Sequence, residues 1–416
     1  MNVEHRITLP ELIRRLPGRE ILSAPSLPDA LITGIALDSR KVQPGNLFVA
    51  VSGGSTDGHR YIPNAIQLGA AAVVGTQALS GLPAPYIRVA DSRQALAGLS
   101  AGFYDFPARQ LTVIGVTGTD GKTTTSNLIY QILKAAGVAA GMISTVNALI
   151  GSEVLDTGFH VTTPEAPDVQ GYLASMVQAG LTHVVLEVTS HGLDQRRVAA
   201  CDFDLGVVTN ITHEHLDYHG SYEAYRAAKG LLFSGLADTP PKSFSPPRAA
   251  VLNRDDESYS YLSSIAAVTQ LSYGFHPQAS VRAERVVQDW EGLKFTTLGK
   301  NANGQAFSAE IYSRLVGAYN VSNCLAAIAA TVGVMGFDVQ DAQQGIAGLP
   351  GVPGRSERID LGQDFIAVVD FAHTPNALPA RRHRLAPRRI TRSIALHGRA
   401  ADLPRPARHV LGIARN

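Results

Sequence analysis

Along the first 350 residues the apolar positions keep switching between two spacings. Short continuous runs, such as LTVIGV at 111–116, VVLEV at 184–188 and LGVV at 205–208, alternate with longer stretches in which apolar residues recur every three or four positions. The runs predict strands buried on both faces; the stretches TTSNLIYQILKAAG, PEAPDVQGYLASMVQAG and SYEAYRAAKGLLFSG predict amphipathic helices. Strands alternating with helices imply an α/β chain with a mainly parallel sheet. The first hundred residues follow the same rule on a smaller scale: ITGIALDS, NLFVAV after the Pro44-Gly45 turn, then YIPNAIQLGA leading into AAVV. Residues 280–312 lack helical spacing and predict an antiparallel strand group, followed by a helix over 319–336; DTPPKSFSPPR at 238–248 reads as a surface loop. The expected division is therefore 1–107, 108–350, a short piece 351–378, and a tail 379–416.

Composition narrows the class. A chain of 416 residues exceeds one core, and 45% hydrophobic with 17% charged residues is ordinary for a water-soluble α/β enzyme. There is no apolar run of membrane-spanning length, and charge interrupts the first twenty residues too often for a secretory signal, so a cytoplasmic protein without membrane contact is expected. Cys201 and Cys324 have no CxxC spacing and read as core residues. The net charge of +1 conceals a break: residues 379–416 hold ten Arg and one acid, +9, leaving 26 basic and 34 acidic residues, −8, in 1–378.

The candidate chemistry centres on VIGVTGTDGKTTTSN at 113–127, an apolar strand, a loop with Gly118 and Gly121, and a helix opening on Lys122, Thr123 and Thr124. Backbone N–H groups of such a loop approach an anion; Lys122 suits a β/γ-phosphate and Thr123 a Mg²⁺ ion. The bland alternative is a glycine-rich turn, and the spacing misses the usual first glycine because Val116 stands there. Glu187 closes an apolar run, where open α/β sheets place ligand sites. His191, His213, His215 and His219 cluster with Glu214 and Asp217, without zinc-type spacing. Tyr222, Tyr225, Lys229 and Leu232 share one helical stripe capped by Ser221, which puts the Lys229 ammonium either inside or snorkelling to solvent.

VTGTDGKTTT, LEVTSHGLDQRRV, TNITHEHLDYHGSYEAYRAAKGLLF, VLNRDD, GAYNVSN and VVDFAHTPNAL occur in this order, after LDSRKVQPGNLFVAV and DGHRYIPNAI. Together they resemble the Mur ligases of peptidoglycan synthesis, in particular the branch that adds the third peptide residue, over about residues 33–378. The resemblance implies a UDP-sugar-binding domain over 1–107, an ATP-binding central domain over 108–350 and the start of a Rossmann-like ligase domain over 351–378. It implies a reaction in which ATP phosphorylates a carboxylate of UDP-N-acetylmuramoyl-L-alanyl-D-glutamate and an amino acid, diaminopimelate or lysine, attacks the acyl phosphate. By motif, Gly118, Thr119, Asp120, Gly121, Lys122, Thr123, Thr124, Asn253 and Asn320 would hold ATP. Thr123 and Glu187 would serve one Mg²⁺, His215 and a carbamylated Lys229 a second, with Lys122, Glu187, His215 and Lys229 as the catalytic set. Leu37, Ser39 and Gly54-Ser55-Thr56 would bind UDP, and Thr162, Thr163, Thr189, Gln195 and Arg197 the muramoyl peptide. Thr189, Glu214, Phe371 and Asn376 depart from the usual Ser, Asp, Tyr and Asp. No nucleic-acid partner is implied, and a monomer is expected.

After Leu378 the pattern stops. Four prolines, dense arginine and no sustained period predict a tail without regular structure. We expect this tail to be an out-of-frame or misjoined end replacing most of the third domain, with ligation weak or absent; the alternative is a non-catalytic UDP-sugar- or nucleotide-binding remnant. Translating the downstream DNA in the other frames and finding no strand-and-glycine-turn continuation would sink that idea.

Overall fold

The structure, a computed structural model, describes residues 5–16, 20–53, 56–145, 147–151, 153–155, 163–239, 241–244, 246–289, 292–355, 357–359, 367–369, 392–395 and 410–414. The chain forms two compact units. One comprises Met1–Gly115, Ala139–Asp204 and Ala228–Pro246; the other comprises Val116–Val138, Leu205–Ala227 and Pro247–Asn416.

In the first unit a five-stranded sheet runs Ile21–Ser23, Tyr86–Val89, Ala72–Gly75, Asn46–Val49, Gly34–Ala36. Its last four strands are parallel and the first is antiparallel. Alternation sorts the side chains: Leu47, Val49, Val74 and Ile87 face Leu96, Leu99 and Phe103 of the helix Ser92–Phe103, while Phe48 and Val73 pack with Ile62 and Ala65. Asp91 starts that helix by accepting the N–H groups of Arg93 and Gln94. The same unit holds the strands Glu153–Leu155, Ala148–Ile150, Ala140–Ile143 and His183–Glu187, the last two parallel.

Among its described residues the 238–248 segment has no helix or strand, as expected of a loop, but its lysine is not a surface group. Lys242 Nζ donates to the Asp204 carboxylate at 2.7 Å and to the carbonyls of Asp202 (2.7 Å) and Leu111 (2.9 Å), with its side chain 3% exposed. Asp204 also accepts the Val113 N–H at 2.8 Å. A buried charge persists only where partners replace water, and this pair has them.

In the second unit the strand order is Leu205–Val208, Ala249–Asn253, Thr269–Gly274, Val281–Gln288, Leu293–Lys300, Ala306–Ser313. The first four pair in parallel; the last two add antiparallel partners, the group expected over 280–312. The helix Lys122–Ala135 packs against Val339–Gly348 so closely that a Cβ on Gly345 would lie 2.6 Å from the Ile132 Cα. Only glycine permits that approach. The helix expected over 319–336 is α-helical for Tyr319–Ile328 and widens to a π-helical turn over Ala329–Val334.

The tail expected to lack regular structure contains two strands. Val410–Ala414 pairs antiparallel with both Arg392–Ala395 and Ala367–Val369, and the latter with Glu357–Ile359. The second of the tail's strands coincides with the short apolar stretch VLGIA, which a count of arginines and prolines overlooks. Among the described residues no helix is long and apolar enough to cross a membrane. Cys201 and Cys324 are free and fully buried, as expected of core residues, and burial pushes the Cys324 thiol up to about 12.

Candidate functional site

The glycine loop lies in the second unit. The strand Thr112–Thr117 delivers Gly118 at φ +147°, and Gly121, at φ +83°, precedes the helix Lys122–Ala135. A Cβ on Gly118 would collide with the Thr209 hydroxyl, and one on Gly121 with the Asn323 amide oxygen. Both positions therefore demand glycine for space as well as for φ. The first helix bond runs from Thr125 N–H to the Gly121 carbonyl at 2.8 Å, so the N–H groups of Lys122, Thr123 and Thr124 belong to the helix's first turn. They crown a helix N-terminus, the arrangement that favours a bound anion.

The loop is held from outside by the segment after the apolar run 205–208. Thr119 N–H donates to the Asn210 carbonyl at 2.7 Å, Asp120 N–H to Asn210 Oδ1 at 3.0 Å, and the Asp120 carbonyl accepts from Thr209 Oγ1 at 2.6 Å. Asn253, buried, donates to the Thr209 carbonyl at 2.6 Å, and Asn320 accepts from Asn323, which takes the Thr125 hydroxyl. The two asparagines chosen from the sequence thus brace the loop's supports. Lys122 Nζ bonds the carbonyls of Gly118 (3.0 Å) and Thr119 (2.8 Å), so its ammonium curls over the loop. Thr123 is 2% exposed, and Arg355 Nη2 donates to its hydroxyl at 3.3 Å. His215 has an exposed side chain at φ +55°, its Nε2 3.7 Å from Glu214.

In the first unit Glu187 is 1% exposed at the end of its strand, and its carboxylate accepts the Thr145 N–H at 3.1 Å. Thr163, Thr189, Gln195 and Arg197 come together. The Thr163 and Thr189 hydroxyls lie 3.0 Å apart, Thr189 caps the helix Ser190–Asp194, and Arg197 donates to the Thr163 carbonyl (2.8 Å) and Gln195 Oε1 (2.7 Å). Arg197 also pairs with Glu165 at 2.9 Å. Ser39 is buried and accepts from Asn64 at 3.2 Å; Leu37 is half-buried two residues before it. The Thr56 carbonyl takes the Gly53 N–H, closing a turn whose tip, Gly54-Ser55, lies outside the described residues, as does Thr162. Lys229 is 1% exposed, which decides for the inside position over snorkelling.

Among the described residues no group of three His, Cys, Asp or Glu side chains could hold a metal ion. In the second unit the buried Thr123 hydroxyl beside the glycine loop is a hard oxygen donor of the type that Mg²⁺ takes; in the first unit the buried Glu187 carboxylate is another. Sequence reasoning missed Thr209, Asn210, Asn323 and Arg355. The first two are polar residues directly after an apolar strand run, which is a usable signal; Arg355 stands 232 positions from Thr123 and offers none.

Comparison with known proteins agrees with this geometry. Residues 31–104 match the catalytic domain of the Mur ligase family and residues 116–331 the Mur ligase middle domain. A UDP-N-acetylmuramyl-tripeptide synthetase of Roseiflexus sp. is 41% identical over 391 residues, 92% of this chain and 75% of that protein. A UDP-N-acetylmuramoyl-L-alanyl-D-glutamate–2,6-diaminopimelate ligase of Geobacillus kaustophilus is 39% identical over 88% of this chain and 72% of its own. The solved structure of a ligase of that description superimposes with a TM-score of 0.73 at 29% identity, over 91% of this chain and 74% of the other. Glycine cradle, helix N-terminus and relatives point one way, and the chain belongs to the Mur ligase family, whose members are ATP-dependent ligases.

Proposed function

We propose that this chain joins a diamino acid, meso-2,6-diaminopimelate, to UDP-N-acetylmuramoyl-L-alanyl-D-glutamate at the expense of ATP, in the cytoplasm, during peptidoglycan synthesis. The observation that carries this reading is the glycine-demanding loop at the start of Lys122–Ala135, in a chain 39–41% identical to enzymes named for that reaction or its tripeptide product. Residues 1–107 would hold the UDP-sugar and 108–350 the nucleotide.

The chemistry follows from the residues. Gly118, Thr119, Asp120, Gly121, Thr123 and Thr124 supply the phosphate cradle, and Asn253 and Asn320 keep its supports in place. Lys122 exchanges two loop carbonyls for phosphate oxygens and so brings positive charge to the anion being transferred. A ligand carboxylate attacks the γ-phosphorus, the bond to the leaving ADP oxygen breaks, and the acyl phosphate so formed is opened by the acceptor amine with release of phosphate. Mg²⁺, held by Thr123 and Glu187 and, at a second position, by His215 and a carbamylated Lys229, would neutralise phosphate charge during this transfer. Carbamylation accounts for Lys229 being buried: it turns a cation that needs a counter-charge into an anion that suits a metal. Arg197, Gln195, Thr163 and Thr189, pre-assembled at hydrogen-bond distance, orient the muramoyl peptide, while Leu37, Ser39 and 54–56 take the UDP end.

The test is direct. Incubation with ATP, Mg²⁺, the UDP-muramoyl dipeptide and either diaminopimelate or lysine should release phosphate and yield a product heavier by one residue, preferentially with diaminopimelate. Nucleotide and dipeptide binding without acceptor-dependent product by mass spectrometry redirects the reading to a non-catalytic remnant, absence of both binding and product overturns it, and a preference for lysine redirects it to the lysine-adding type.

A further inference from the structure

The phosphate loop is tied to the histidine-bearing segment by a chain of hydroxyl groups. Thr212 N–H donates to Thr119 Oγ1 at 2.9 Å, Thr119 Oγ1 lies 3.0 Å from the Tyr225 hydroxyl, and Tyr225 donates to Glu214 Oε2 at 3.3 Å. Direction follows from the geometry: the Tyr225 hydroxyl donates to Glu214, which leaves the tyrosine oxygen to accept from Thr119. The alternative acceptor for the threonine proton, the Thr212 carbonyl, is farther at 3.3 Å. The Tyr225 side chain is fully buried, so its hydroxyl meets protein partners. Its ring also lies 5.4 Å from the His219 ring and 6.3 Å from that of His215.

We infer that Tyr225 is a positioning residue for the nucleotide. Its hydroxyl locks Thr119, and through it the turn Gly118–Gly121, to the Glu214-His215 segment, so that the cradle is held open at one width before phosphate arrives. Removing one oxygen from a fully buried ring changes no shape but lets the loop relax. This rests on the reading that the loop binds ATP.

The experiment measures binding, so it does not depend on turnover. Tyr225→Phe, Glu214→Ala and the double variant are titrated with ADP and with a non-hydrolysable ATP analogue, with and without Mg²⁺, and with the UDP-muramoyl dipeptide, alongside circular-dichroism melting. Each single variant should weaken nucleotide binding about tenfold, as expected for a charge-linked hydrogen bond, and the double variant should lose no more than about twofold beyond the weaker single, since both cut one chain. Dipeptide binding should stay unchanged, which a merely structural role would not allow. Nucleotide binding by Tyr225→Phe within about twofold of the unaltered chain, or additive losses, overturns the inference alone. If the unaltered chain binds no nucleotide, the ATP reading falls and the inference with it. Should Tyr225→Phe fail to fold, Glu214→Ala carries the same test from the other end of the chain.

Discussion

Thr119 and Thr163 each place a hydroxyl at the centre of a network, and the two networks are built on different logic. Thr119 joins a backbone N–H to a buried phenol and ends on the carboxylate of Glu214. Thr163 takes the N–H of Thr189, meets its hydroxyl and reaches the Glu187 carbonyl, while its own carbonyl receives Arg197. The first network runs in one direction and ends on the acidic side chain of Glu214, so a change anywhere along it alters how the loop is held. The second closes on backbone and neutral groups, with Arg197 and Arg93 both set against Glu165, so it holds a shape. Charge handling and shape holding are thus separated, and each should fail alone.

Lys122→Met gives the widest separation. Losing the cation aimed at the transferring phosphate should lower ATP-dependent turnover by about 10²–10³-fold, with calorimetric binding of the UDP-muramoyl dipeptide unchanged. A parallel loss of dipeptide binding would break the division. Arg197→Met removes the contacts to Thr163, Gln195 and Glu165 and leaves Glu165 with Arg93 at 3.7 Å; charged hydrogen bonds are worth about 1.5–3 kcal/mol each, so dipeptide affinity should fall at least about tenfold while ATP-analogue affinity stays. Equal losses for both ligands would contradict it. Thr119→Val and Thr163→Val make the comparison sharpest, because the two changes are chemically identical. The former should raise the nucleotide Kd, and the latter the dipeptide Kd, each by about fivefold to tenfold. A crossed result, measured on both variants with both ligands, would refute the assignment of roles.

The smallest effect concerns neither network and serves as a control. Burial holds the His183 imidazole down to about 4, from an ordinary 6.5. The unfolded chain therefore binds this proton more readily than the folded one, so stability falls as pH drops from about 6.5 towards 4 and loses nothing further from this group below that. His183→Gln should flatten the decline of Tm over that window; an unchanged slope would remove His183 from the account.

The loop was legible residue by residue because its function is backbone-borne. A strand end, two glycines and a Lys-Thr helix start are contiguous in the chain, and contiguous backbone folds the same way wherever the pattern occurs. The parallel strands were legible for a related reason, since burial on both faces writes an unbroken apolar run. The cluster of Thr163, Thr189, Gln195 and Arg197 was chosen by resemblance rather than by spacing; its residues span 34 positions and meet through side chains. Lys242 was misjudged because its loop is polar and rich in proline, and no local pattern reveals that Asp204 waits inside. The two strands of the tail were hidden under its arginines in the same way.

By itself, then, the sequence determined the α/β alternation, the glycine loop before the helix Lys122–Ala135, the antiparallel group and the family, all of which depend on neighbours along the chain. Tertiary structure alone decided where Lys229 and Lys242 would sit, how Asn253 and Asn320 support the loop, and that Tyr225 bridges Thr119 to Glu214. Those are meetings of side chains 11 to 106 positions apart in the case of Tyr225. A hydrogen bond of 3 Å between such groups is set by how the elements pack, which no local spacing encodes.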